Sequence, residues 1–175
     1  MATRLMTDNT LEVLNGYPTY KPLTHVAKLS ASESNEAKQG MVAHLDSSGE
    51  WRLGVTGHQM PCFLFNNEDD YDTGGGYDGG TPASTFDPFQ STAGLGDSGG
   101  IGALVATGGF EVASNKYSGS TFNPNDVLTA GSDGLVVVGT VKTHCLCGIV
   151  SKGLVSRPAG GNELWFWTYF LPVIS

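Results

Sequence analysis

Residues 41–65 read MVAHLDSSGEWRLGVTGHQMPCFLF, and their punctuation decides the fold. The apolar runs around Val42, Trp51 and Phe63 are each far shorter than an ordinary helix. Each run stops at turn residues, Ser-Ser-Gly at 47–49 and Thr-Gly at 56–57. Short β-branched and aromatic runs bounded in this way are strands joined by tight turns. A shift of 85 residues lays this stretch on DVLTAGSDGLVVVGTVKTHCLCGIV, residues 126–150. Val42 then falls on Val127, Gly49 on Gly134, Gly54 on Gly139 and Cys62 on Cys147. Leu53 meets Val138, and Leu64 meets Ile149. In both stretches a turn ending in Gly leads to a short β run, a Gly, and a second run carrying a Cys, which places Gly at turns or bulges. Two hairpin-rich units predict a mainly β domain, a single β-sandwich or β-barrel.

The flanks read differently. NGYPTYKP (15–22) is turn and extended chain, because proline disfavours helix at the residue before it. LSASESNEAKQG (29–40) is polar, with weak helix potential. Residues 1–38 are therefore expected to form an extended or loosely packed N-terminal arm, and residues 39–175 the β domain. Within that domain, residues 66–84, NNEDDYDTGGGYDGGTPAS, are too polar and glycine-rich to bury a packed element and are expected to form an acidic loop. Strands resume with IGALVATGG at 101–109, and NPND at 123–126 is a turn.

Composition narrows the function classes. The 175-residue chain is 39% hydrophobic, enough for a core, and only 15% charged, where about a quarter is usual. Its net charge of −8 is unevenly placed. Residues 39–100 hold nine acids against Arg52 alone, whereas residues 1–38 and 101–175 are each balanced at four against four. An acidic surface repels phosphate backbones, so direct nucleic-acid binding is not expected. The most apolar stretch, LWFWTYFLPVI at 164–174, is too short for a membrane helix and contains Pro172. Three cysteines, Cys62, Cys145 and Cys147, form no disulfide framework. With no signal-like apolar core near the N-terminus, the expectation is a soluble product of a reducing cytosol.

Chemistry-bearing motifs are sparse. GDSGG at 96–100 matches the nucleophile signature of trypsin-like serine proteases. Ser98 would then need His58 and one of Asp69, Asp70 or Asp72. Only 40 residues separate His58 from Ser98, and VTG, not Ala-Ala, precedes His58. The pentapeptide is read as a tight turn, and no enzyme is expected. His144-Cys145-Leu146-Cys147 could offer soft ligands. On a strand, however, the two cysteines share a face and pack as small hydrophobes. The carboxylates from Glu68 to Asp78 suit a cation but match no EF-hand, and a solvated loop is the simpler reading. No phosphate loop precedes a helix pattern. No metal or cofactor site is expected.

The C-terminal ELWFWTYFLPVIS (163–175) carries the most distinctive local pattern. On a strand, Trp165, Trp167 and Tyr169 share one face, while Leu164, Phe166 and Phe170 share the other. Both faces are apolar, so both should be covered, by the core on one side and by core or a neighbouring subunit on the other. Trp165, Trp167 and Tyr169, with Tyr17 and Tyr20 of the arm, are the candidate interface residues.

Two longer stretches, GALVATGGFEVASNKYSGSTFNPNDVLTA (102–130) and CGIVSKGLVSRPAGGNELWFWTYFLP (147–172), resemble virion structural proteins of tailed bacteriophages. The matching elements are Ala106-Thr107-Gly108, Asn125 to Ala130, Gly148 to Ser156 and Leu164 to Pro172. Thr168 departs from the family pattern, which has proline there and so a local bend. The resemblance implies a head decoration, or cement, protein on the outer surface of the capsid. Such a protein is non-enzymatic and often trimeric, and it bridges major capsid subunits of the expanded head. A tail or fibre-base component is the alternative within the same class. The arm is the part expected to engage the shell, so that deleting residues 1–30 weakens attachment more than folding.

Overall fold

The computed structural model describes residues 11–15, 24–35, 37–38, 40–65, 101–105, 109–156 and 161–173. The strands among them are β1 (Leu11–Asn15), β2 (Thr24–Ala27), β3 (Val42–Leu45), β4 (Trp51–Leu53), β5 (Cys62–Phe65) and β6 (Ile101–Val105), followed by β7 (Glu111–Ser114), β8 (Val127–Ala130), β9 (Val136–Val138), β10 (Leu146–Ser156) and β11 (Asn162–Leu171). They form two antiparallel sheets, ordered β1-β7-β11-β10-β8-β9 and β2-β6-β5-β3-β4. The sheets pack face to face and neither closes on itself. The protein is mainly β, and of the two architectures the sequence allows it adopts the open sandwich.

The two sheets are one topology used twice. Adding five to each label of β2-β6-β5-β3-β4 gives β7-β11-β10-β8-β9, and β1 is an additional strand beside β7. The hairpins agree residue by residue. Ala43 pairs with Leu53, His44 with Arg52 and Leu45 with Trp51. At a shift of 85, Leu128 pairs with Val138, Thr129 with Val137 and Ala130 with Val136. The turns match as well. Gly49 N–H donates to the Asp46 carbonyl at 3.0 Å and Gly134 N–H to the Gly131 carbonyl at 2.9 Å. Both glycines hold the left-handed conformation, φ 75° and 77°, that a side chain resists.

Beyond Gly139 the shift becomes 86. Val42 pairs with Phe63 and Ala43 with Cys62, and the corresponding pairs are Val127 with Ile149 and Leu128 with Gly148. Cys62 therefore corresponds to Gly148 and Leu64 to Val150, one residue beyond the Cys147 and Ile149 that simple sequence overlay chooses. Between the register-matched positions Val138 and Gly148 the second unit holds one residue more than the first holds between Leu53 and Cys62, and pairing is equivalent again at Gly148–Val150. The hydrogen bonds confirm the offset. Gly40 N–H donates to Leu64 O at 2.7 Å and Leu64 N–H to Met41 O at 2.9 Å. Asn125 and Val150, and Val150 and Asp126, make the same pair of bonds at 2.9 Å. Gly40 and Asn125 also share a positive φ, 89° and 75°.

Strand alternation sorts the side chains into layers. From the first sheet Val42 and Phe63, with Val55, meet Val112, Leu128, Val150, Leu164 and Phe166 of the second in the main core. The rings of Phe63 and Phe166 lie 5.4 Å apart. The opposite face of the first sheet carries Ala43, Cys62, Leu64 and Ala103, and a smaller core covers it. Leu29, Ala37 and Met41 supply the cover. The two units thus stack in the same sense. The face of the first unit that bears Val42 and Phe63 lies on the face of the second that bears Leu128 and Phe166.

The described parts of residues 1–38 belong to this sandwich. β1 pairs with β7 and β2 with β6. Beyond β2, Ser30 N–H donates to Trp51 O at 2.9 Å and Trp51 N–H to Lys28 O at 2.7 Å. Glu33 anchors the same segment, its Oε1 accepting from Ser34 and Asn35 N–H and its Oε2 from Leu53 N–H, each at 3.0 Å. The polar composition that predicts an arm reflects a segment attached by single apolar residues and backbone bonds. Removing residues 1–30 would therefore remove two strands and Leu29, so such a truncation tests folding as much as attachment.

Candidate interaction surface

The surface is built on β11, which lies between β7 and β10. Leu164, Phe166 and Thr168 point into the core and are buried. Thr168 fixes the strand at the position where the resemblance implies a proline and a bend. Its N–H donates to the Phe110 carbonyl at 2.7 Å, and its Oγ1 accepts from Phe110 N–H at 3.4 Å. A proline could donate no such bond, so β11 runs on to Leu171.

Trp165, Trp167 and Tyr169 project from the other face, as alternation predicts. Trp167 is 41% exposed and Tyr169 38%, while Trp165 is partly buried. Trp165 sits between Ala113 on β7 and Gly153 on β10, neither of which crowds its indole. Lys152 places its Nζ 4.2 Å from the centre of the Trp165 ring, a cation–π contact that lays the lysine stem along the aromatic face. The indole Nε1 of Trp165 is buried and meets no hydrogen-bond acceptor among the described residues. Trp167 pairs with Ile149 of β10, and Ile149 pairs in turn with Val127 of β8. Ile149 and Val127 are half-buried on the same face. Val127, Ile149 and Trp167 thus form a row across three adjacent strands, flanked by Trp165 and Tyr169. On the same face Glu111 and Ala113 of β7, beside Trp167 and Trp165, and Glu163 of β11 are buried, so the exposed part centres on Trp167 and Tyr169.

The remaining candidates are dispersed. Cys62, Cys145 and Cys147 are buried free thiols. Burial pushes the Cys62 thiol up to about 12 and raises those of Cys145 and Cys147 as well. Cys145 donates its thiol to the Gln59 carbonyl at 3.1 Å. His144 is exposed, and its Nδ1 accepts from Thr140 N–H at 3.0 Å, closing the turn before β10. His58 is exposed on the turn between β4 and β5. Among the described residues no group of three or more His, Cys, Asp or Glu is placed to hold a metal ion. No helix among them is long and apolar enough to cross a membrane. Ser98, Asp69, Asp70, Asp72, Tyr17, Tyr20 and the acidic loop at 66–84 lie outside the described residues.

Sequence reading alone misses Glu33 as a clamp and Val127 and Ile149 as members of the aromatic face. The signal for Val127 and Ile149 is the repeat itself, once its offset is placed correctly. No protein-family model, curated protein or solved structure matches the chain.

Proposed function

We propose that the chain is a non-enzymatic virion structural protein, a capsid decoration protein that binds the expanded head and stabilises it by bridging major capsid subunits. The observation that carries this reading is the coincidence of resemblance with architecture. The two stretches similar to phage virion proteins begin in β6 and run to the end of β11, so they take in β7, β8, β11 and all but the first residue of β10 from the second unit, with β9 lying between them. That unit ends in the strand that exposes Trp167 and Tyr169. Cement proteins act through buried area repeated by symmetry, which adds modest contacts into strong attachment. Large aromatics with one apolar side exposed suit that mode of action. In this reading the protein is a homotrimer on the outer surface of the capsid, and Tyr17 and Tyr20 belong to the segment that reaches the shell.

Co-sedimentation of the purified full-length chain with expanded, undecorated heads of its phage tests the reading. The expected result is saturable binding at a fixed ratio to the major capsid protein, with heads that withstand higher temperature once loaded. Binding to isolated tails and not to heads would transfer the protein to the tail or fibre base. Binding to neither would end the virion reading.

A further inference from the structure

The turns that follow β4 and β9 use one device with two different acceptors. After β4, the Thr56 N–H donates to Gln59 Oε1 at 2.9 Å, and the Gln59 N–H donates back to Thr56 O at 3.2 Å. After β9, the Thr140 N–H donates to His144 Nδ1 at 3.0 Å, and the His144 N–H donates back to Thr140 O at 3.0 Å. In each, a threonine just past a strand has its amide capped by the side chain that ends the turn. The two caps differ in one property. The carbonyl oxygen of a glutamine side chain accepts whatever the pH, whereas a ring nitrogen of histidine accepts only while it carries no proton.

We propose that the turn between β9 and β10 is a pH-operated latch, closed by neutral His144 and released by its imidazolium. A backbone N–H can only donate, so the Nδ1 it meets presents a lone pair. That fixes His144 as the neutral tautomer with its proton on Nε2. Protonation places a hydrogen on Nδ1, and two N–H groups then face each other, so the bond is lost. Histidine is the side chain that changes charge between about pH 5 and 8, where the cap on the first unit does not respond. His44 gives the contrast within the same chain. Its Nδ1 lies 2.7 Å from Gly54 O, and a carbonyl can only accept. Nδ1 of His44 therefore carries a proton in the neutral and the charged ring alike, and that bond is kept in both.

The ionisable groups on the described elements around the turn are few. Lys142 lies in the turn itself and is exposed. β8 and β9 bring none. Asp126, just ahead of β8, accepts from Asn123 N–H through Oδ2 at 2.7 Å. Burial raises the thiols of Cys145 and Cys147, which stay protonated across the range. The turn between β4 and β5 brings the exposed His58, and the Cys145 thiol ties the two turns together through Gln59 O at 3.1 Å. Release leaves the Thr143 and His144 N–H bonds to Thr140 O in place. The turn thus loosens at its amide side, next to its tie to the first unit, without opening a strand pair. The inference rests on hydrogen-bond chemistry and not on the capsid reading.

Nitrogen NMR of the isotope-labelled full chain, followed from about pH 8 down to about pH 5, tests it. At the upper end His144 should show a bare Nδ1 and a protonated Nε2, with a nitrogen–nitrogen coupling carried across the bond from Thr140. At the lower end that coupling should vanish. Solvent exchange of the Thr140 amide, corrected for its intrinsic pH dependence, should quicken about fivefold, the factor that an ordinary net hydrogen bond represents. The Thr56 amide should not change. His144→Gln, which copies the acceptor of the first unit, should keep Thr140 protected throughout, and His144→Ala should expose it throughout. His58→Gln should behave as the wild type. A proton on Nδ1 at the upper end, a Thr140 amide indifferent to pH, or a pH dependence that survives His144→Gln would each overturn the proposal. The wild type alone supplies the first two readouts, so they hold even where a variant folds poorly.

Discussion

The rings of Phe63 and Phe166 lie 5.4 Å apart at an angle of 45°, one from each sheet, and join the two repeats at the middle of the core. Both side chains are fully buried. Truncating either to alanine leaves a cavity the sheets cannot close, and each substitution is expected to cost about 3–5 kcal/mol. Urea unfolding of Phe63→Ala, Phe166→Ala and the double variant measures the pair. A coupling of about 0.5–1.5 kcal/mol is expected from the tilted ring contact. Strictly additive losses would mean that the rings do not interact.

The two equivalent turns should respond unequally to the same change. Gly49 and Gly134 share a left-handed conformation, but a Cβ on Gly49 meets nothing within 4 Å. A Cβ on Gly134 meets Val42 O at 3.0 Å and the Met41 side chain at 3.2 Å. Gly49→Ala should cost about 1 kcal/mol from backbone strain alone. Gly134→Ala should cost clearly more, because it also disturbs the Val42 N–H bond to Gly134 O at 2.8 Å. Thermal melting of the two variants side by side decides the matter.

Glu33 is expected to hold the cover over the first sheet. Replacing it with alanine removes the acceptor of the Leu53 N–H and of its own turn. A loss of about 1–3 kcal/mol is expected, since hydrogen bonds to charged groups are among the stronger ones. Hydrogen exchange should quicken at Ser30 and Trp51 first. Glu33→Gln keeps one acceptor oxygen and should lose less.

Thiol chemistry should report folding. Burial raises all three cysteine pKa values above their ordinary 9.0. At pH 8 the native protein should therefore resist a disulfide reagent, and all three thiols should react after unfolding. The same shifts give an alkaline limit. Below pH 9 the thiols are protonated in both states. As pH rises from 9 towards about 12, the unfolded chain ionises first and stability falls. A Cys62→Ala variant should lose part of that pH dependence.

The strands were legible because Gly, Ser and Asp stop short apolar runs, and the two faces of β11 follow from alternation alone. The duplicated unit was visible at 85 residues through Val42, Gly49 and Gly54, where no insertion intervenes. It slipped at Cys62 because two neighbouring positions, 145 and 147, offer cysteines, and identity there outweighs register. Within residues 1–38, the docking of Leu29 and Ala37 on the first sheet was hidden for a different reason. Leu29, Ala37 and Met41 have no helical or strand period, since they dock on a sheet formed elsewhere in the chain. That Trp167 and Tyr169 are exposed while Glu111 and Glu163 on the same face are buried was not legible at all, because an apolar strand reads the same whether its second face is covered or exposed.

The exposed turn between β9 and β10 has a practical use. Residues 140–144 are exposed at every position and lie between β9 and β10, outside both strands. A loop that is exposed throughout and lies outside every strand pair is a natural graft point. An affinity tag or fluorophore peptide inserted after Lys142 should leave the sandwich unaltered and make the protein traceable on whatever surface it binds.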